Sequence, residues 1–177
     1  MEPKQAFAVW VTGLPASGKS TLVAALRSQF ASLNLDVAVL ESDVLRRVFT
    51  PKAEYQKEDR DLFYRQITYV GLLLTQHGVP VIFDATANLR RYRDEARKQI
   101  PKFCEVFVDC PLEVCMARDP KGIYRRGREG AAGAIPGLQA AYEPPLASDI
   151  TIHDGREPVE QSAQHIIAKL REKGFIT

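Results

Sequence analysis

Phe7-Ala-Val-Trp-Val-Thr12-Gly13-Leu-Pro-Ala-Ser-Gly18-Lys19-Ser20-Thr21 joins three local signals in one stretch. Residues 7–12 form an unbroken, mostly apolar run ending at Thr12, the pattern of a strand buried on both faces. A glycine-bounded turn follows. Leu22, Leu26 and Phe30 then recur at spacing four, which predicts an amphipathic helix. The turn satisfies G-x-x-x-x-G-K-[ST] in full, in the strand–turn–helix context that gives this motif its meaning. Such a loop wraps backbone N–H groups around phosphate oxygens, and glycine permits the close approach. The helix N-terminus behind it adds partial positive charge. Gly13, Leu14, Pro15, Ala16, Ser17, Gly18, Lys19, Ser20 and Thr21 are therefore expected to cradle a nucleoside triphosphate with Mg²⁺. Lys19 is placed to reach the β- and γ-phosphates, and the Ser20 hydroxyl to ligate the metal.

Outward from this loop the chain alternates. Asp36–Glu41, Val79–Asp84 and Phe103–Asp109 read as strands, with Ile150–Ile152 a short last one. Between them lie helical patterns: a long one from Lys57 to His77 with Phe63, Ile67, Val70 and Leu74 on one face, and a short one from Arg90 to Lys98. Another is opened by Pro111, and a last one carries Val159, Ala163, Ile166 and Leu170. Ser42 or Asp43 is a candidate cap for a short helix running through Val48. Alternation of this kind predicts an α/β fold of three layers, a mostly parallel sheet with helices on both faces. The expected organisation is a single domain over residues 1–177, with a lid or substrate-covering segment at about 119–146. That segment is rich in Gly, Pro, Ala and Arg, and reads as a functional loop. Ligands of such sheets sit at the carboxyl ends of strands, so Gly13–Ser20, Glu41–Asp43, Asp84–Asn88 and the segment after Asp109 should line one crevice.

The chain of 177 residues carries 24 Lys and Arg against 22 Asp and Glu, a net +2. That balance argues against a general nucleic-acid or membrane-surface partner. No apolar run approaches the ~18 residues of a membrane span. Three cysteines, Cys104, Cys110 and Cys115, match no zinc spacing and are expected to be buried free thiols, which points to the cytoplasm.

Three features favour a small-molecule kinase over a GTPase or a motor. The chain is short, it has no Asn-Lys-x-Asp guanine-reading segment, and it carries a basic segment suited to a closing lid. That segment runs from Arg118 to Arg128 and holds five cations in eleven residues, enough to neutralise charge on a transferred phosphoryl group. An acceptor hydroxyl also needs a carboxylate to orient it. Asp43 and Asp84 stand just past strand ends where such a group belongs.

Glu105-Val-Phe-Val-Asp-Cys-Pro-Leu-Glu-Val-Cys115-Met-Ala-Arg118-Asp-Pro-Lys121-Gly-Ile-Tyr124 resembles, almost position by position, the E-V-F-V-D-T-P-L-E-V-C-x-x-R-D-P-K-G-L-Y of the adenylylsulfate kinases. The phosphate loop, Glu58-Asp59-Arg60 with Arg65, and Tyr142-Glu143-Pro144-Pro145 are similar to further segments of that family. The resemblance implies transfer of the ATP γ-phosphate to the 3′-hydroxyl of adenosine 5′-phosphosulfate. It gives Asp43 a role near Mg²⁺ and the acceptor hydroxyl, so that Ser20 and Asp43 are the expected metal residues. Lys19, Asp43 and Lys121 become the expected catalytic residues. Arg46 and Arg60 would hold the phosphosulfate, Tyr55 would stack on the acceptor purine, and Arg118 would join the nucleotide site. Family members often pair, which makes a homodimer the assembly to test.

Four departures fall on the acceptor side. Glu41-Ser42-Asp43-Val44 replaces D-G-D-N, and Phe63 stands where the family has asparagine. Ala87-Asn88 replaces Ser-Pro, and Ile135-Pro-Gly-Leu-Gln139 replaces F-T-G-I-D. Phe83-Asp84-Ala-Thr-Ala-Asn88-Leu-Arg90-Arg91 is also similar to the D-A-T-N-L-x-x-R of other P-loop kinases, including polynucleotide 5′-hydroxyl and small-metabolite kinases. In that reading Asp84 contacts the acceptor and Arg90 or Arg93 a phosphate. The alternative is thus a kinase of the same type with a different hydroxyl acceptor, such as another nucleotide conjugate, a sugar or a polynucleotide 5′-end.

Overall fold

A computed structural model describes residues 5–51, 57–130 and 133–177. Five strands make one wholly parallel sheet: β1 (Ala8–Thr12), β2 (Ala38–Glu41), β3 (Val81–Asp84), β4 (Phe103–Asp109) and β5 (Ile150–His153), in the order β2-β3-β1-β4-β5. The helices are α1 (Lys19–Ser32), α2 (Ser42–Phe49), α3 (Lys57–Gln76), α4 (Arg90–Gln99), α5 (Leu112–Arg118), α6 (Ile123–Arg128) and α7 (Val159–Glu172).

The strand period of two divides the core. Val9 and Val11 of β1 face Leu22, Leu26 and Phe30 of α1 and Ala163, Ile166 and Leu170 of α7. Ala8 and Trp10 face Phe63 and Ile67 of α3 and Tyr92 and Ala96 of α4. Both faces of the central strand are therefore buried, which is why it reads as a continuous apolar run rather than an alternating one. Trp10 stacks on Phe83 with ring centroids 4.3 Å apart, and its Nε1 donates to the Ala85 carbonyl at 3.1 Å. Gly71 lets α3 sit directly on that ring, since a β-carbon there would fall within the van der Waals radius of Phe83 Cζ.

Two local expectations are corrected. Neither Ser42 nor Asp43 caps α2. Glu41 occupies the cap position without a side-chain bond, and Asp43 lies in the first turn, where its charge faces the helix dipole. Among its described residues, the segment 119–146, expected as a loop, holds a short helix, α6. The Asp119 carboxylate accepts from the backbone N–H groups of Tyr124 and Arg125 and so starts α6, while Tyr124 is buried beneath it. All three cysteines are free and buried. Burial pushes the Cys104 and Cys110 thiols up to about 12.

Candidate active site

The carboxyl ends of the strands open on a cleft of about 530 Å³. At its centre, after β1, lies the turn from Gly13 to Ser20. Ala16 and Gly18 adopt left-handed backbone angles, φ 61° and 97°. Gly13 passes so close to β4 that a β-carbon would lie 2.7 Å from the Val108 carbonyl oxygen. The Lys19 ammonium folds back over the loop and donates to the carbonyls of Gly13 (3.1 Å) and Leu14 (2.7 Å). Burial lowers its pKa to about 8, against an opposing pull from Asp84. A cation held this way, without a counter-ion at bonding distance among the described residues, is a site that an anion would complete.

Ser20 Oγ donates to Asp84 Oδ2 at 2.8 Å, and Asp84 is only 6% exposed. The fold thus sets the buried carboxylate at the end of β3 against the loop hydroxyl. Asp43, the acid assigned with Ser20 to the metal, instead accepts a bond from Lys121 Nζ at 2.6 Å, and this contact holds the Lys121 ammonium above its ordinary pKa. Arg118 makes a bidentate pair with Asp154, at 2.7 and 2.9 Å, which ties the root of the lid to the loop after β5. Tyr124 Oη donates to the Pro15 carbonyl at 2.8 Å and ties α6 to the phosphate loop.

On the acceptor side the Arg46 guanidinium lies 3.9 Å above the ring of Phe63, which is fully buried, and 5.5 Å from the ring of Tyr64. Arg60 donates to the Ala134 carbonyl and so joins α3 to the segment after α6. Gln139 continues that join, accepting from Ile135 N at 3.0 Å and donating to the Gly127 carbonyl at 2.8 Å. Ile135 is buried with Cys115 and Tyr124. Tyr55 lies outside the described residues.

A scan against family models matches residues 5–153 to the adenylylsulphate kinase model. The chain belongs to the adenylylsulphate kinase family. It is 40% identical to the adenylyl-sulfate kinase of Microcystis aeruginosa over 168 residues, covering 95% of this chain and 93% of that protein. Identity to the adenylyl-sulfate kinase of Gloeothece citriformis is 39%, with 95% and 96% covered. Among solved structures, the APS kinase of Mycobacterium tuberculosis in complex with AMPPNP and APS matches with a TM-score of 0.89 and 31% identity, over 96% of this chain and 99% of that one. The α/β P-loop kinase fold and the phosphotransferase class are those of the adenylylsulphate kinase family.

Membership separates two motifs that the sequence left in competition. In the Asn88-Leu-Arg90-Arg91 segment, similar to that of other P-loop kinases, Asn88 and Arg90 bond backbone carbonyls and Arg91 pairs with Asp61. Asn88 is turned away from the cleft and donates to the Ala141 carbonyl at 2.9 Å. Arg90 Nε donates to the Pro144 carbonyl at 2.7 Å, and its backbone N–H to Glu143 Oε2. Arg93 is 1% exposed and pairs with the buried Glu105 at 3.3 Å. Short-range pattern could not separate a phosphate-binding arginine from one that fastens residues 141–144 to the sheet. The loop after β5 was missed altogether: His153, Asp154 and Glu157 line the cleft beside Arg118. The rule that ligands gather at strand ends applied to β5 as well as to the others and could have found it.

Proposed function

We infer that this chain transfers the γ-phosphate of ATP to the 3′-hydroxyl of adenosine 5′-phosphosulfate, giving 3′-phosphoadenylylsulfate and ADP. The observation that carries the reading is one cleft that holds the Lys19 loop, the Ser20–Asp84 contact and the Asp43–Lys121 pair side by side, in a member of this family.

Ser20 and Asp84 offer two hard oxygen donors 2.8 Å apart, a donor set that fits Mg²⁺, with Asp43 just after the neighbouring strand β2. Held there, Mg²⁺ would supply neutralisation of the phosphate charge. The chain's own residues supply the rest. Backbone N–H groups of the loop and Lys19 hold the triphosphate. Lys121 exchanges Asp43 for phosphate oxygens as the donor binds, which frees the Asp43 carboxylate to orient the acceptor hydroxyl. Arg46, its guanidinium lying over the Phe63 ring, and Arg60 bind the 5′-phosphosulfate, and Tyr55 stacks on the acceptor purine. The transfer needs little covalent help from the protein, so positioning and charge carry the catalysis.

The reading extends to one kinase domain over residues 1–177 whose segment 119–146 covers the substrates, working in the cytoplasm as a homodimer. Among the described residues no helix is long and apolar enough to cross a membrane. The deciding experiment couples ADP release to adenosine 5′-phosphosulfate. Turnover should require that acceptor and yield a 3′-phosphorylated product. ADP release that depends on another alcohol, with none from adenosine 5′-phosphosulfate, sinks the assignment.

A further inference from the structure

The cleft has two ends, and the sheet order decides which is which. β1 and its phosphate loop are central in β2-β3-β1-β4-β5. Asp43 and Asp84 follow β2 and β3 on one side, whereas Arg118, Asp154 and Glu157 follow β4 and β5 on the other. A triphosphate seated on the loop with its terminal phosphate toward Asp43 must run its nucleoside toward β5.

At that end the Glu157 carboxylate is held in place. Its Oε1 accepts from Ser162 Oγ at 2.7 Å and lies 3.1 Å from His165 Nδ1. Ser162 is 2% exposed and the Glu157 side chain 20%, so the anchor is internal while the carboxylate borders the cleft. Both contacts fall on Oε1, which leaves Oε2 its capacity to accept. An ionised carboxylate accepts and cannot donate. A base edge bearing an amino group complements it. Set opposite the 6-substituent itself, and not the N1–H that a 6-oxopurine also carries, a carbonyl meets acceptor with acceptor in a partly dehydrated place, where an unmatched polar contact is costly.

The geometry points to Glu157 as the residue that reads the base of the phosphoryl donor, selecting a 6-aminopurine over a 6-oxopurine. This rests on the reading of the cleft as a nucleoside triphosphate site. It adds a specificity contact at the far end of that site from the transferred phosphate.

Calorimetric binding of ADP, IDP, GDP and 2′-deoxy-ADP to the full chain tests it without any acceptor. The wild-type protein should bind ADP about tenfold more tightly than IDP, the worth of one hydrogen bond near 1.4 kcal/mol. Glu157→Ala should bring that ratio close to one. Glu157→Gln keeps the shape and can turn its amide to donate, so it should improve IDP and GDP binding outright. Weakening of all four nucleotides by the same factor means Glu157 only braces the start of α7, and overturns the proposal. So does a change confined to the ADP against 2′-deoxy-ADP ratio, which would put the carboxylate on the ribose. Normal nucleotide discrimination with no turnover of adenosine 5′-phosphosulfate would instead count against the acceptor assignment, leaving Glu157 in its role.

Discussion

Lys121 Nζ lies 2.6 Å from Asp43 Oδ2, so a lid cation and an acceptor-side carboxylate neutralise each other across the mouth of the cleft. Both side chains are more than half exposed. Exposed pairs of this kind contribute under about 1 kcal/mol to folding. Lys121→Ala and Asp43→Asn should therefore leave the melting temperature within a few degrees of the wild type. Turnover should fall at least about a hundredfold in each, because each removes a charge aimed at the reacting groups. Paired melting curves and initial rates check this, and a large loss of stability with full activity would contradict it.

Lys19 sits at a folded-state pKa of about 8, below its ordinary 10.5. In the window between those values the unfolded chain holds a proton that the folded chain has shed. Stability should therefore rise with pH across that window, and the cost of the buried charge is fully present below it. An arriving phosphate restores the charged form. Nucleotide binding near pH 8.5 should thus take up a fraction of a proton, seen as a buffer-dependent binding enthalpy, and near pH 7 this contribution should shrink toward zero. Lys19→Ala should abolish both the uptake and turnover.

Arg93 and Glu105 form the inner end of a ladder that continues through Arg97 and Asp149 to Lys173, with Arg97 2.9 Å and Lys173 2.6 Å from Asp149. Removing only Arg93 leaves a carboxylate that is 6% exposed with the half-exposed Arg97, at 3.3 Å, to balance it. Arg93→Met should cost about 3 kcal/mol in chemical denaturation, and Arg93→Met with Glu105→Gln should recover part of the loss. A single variant as stable as the wild type would show the ladder to be dispensable.

Tyr124, 1% exposed, spans from α6 to the Pro15 carbonyl. Tyr124→Phe keeps the ring and removes the hydroxyl, leaving that link unmade at about 1 kcal/mol. The expected signature is a raised KM for ATP with a smaller change in the KM for the acceptor. Equal changes in both would place the effect elsewhere.

Sheet and helices were legible because their signals are local. The two-residue period of a strand and the 3.6-residue period of a helix are written within a dozen residues, and so is the G-x-x-x-x-G-K-S turn between Gly13 and Ser20. Helix α6 escaped this reading because its start depends on the Asp119 carboxylate and its burial on one tyrosine rather than on an apolar stripe.

By itself, then, the sequence determined a parallel α/β sheet, a phosphate-gripping bend after its first strand and the family whose motifs surround that bend. Tertiary structure alone decided the pairing of chemical groups. Ser20 meets Asp84 across 64 residues and Lys121 meets Asp43 across 78, while Arg93, read in one motif as a phosphate contact, is withdrawn into the core against Glu105. The physical reason is range. Backbone periodicity and turn geometry act between near neighbours in the chain, whereas charge pairing and burial depend on which strand ends the parallel order sets side by side.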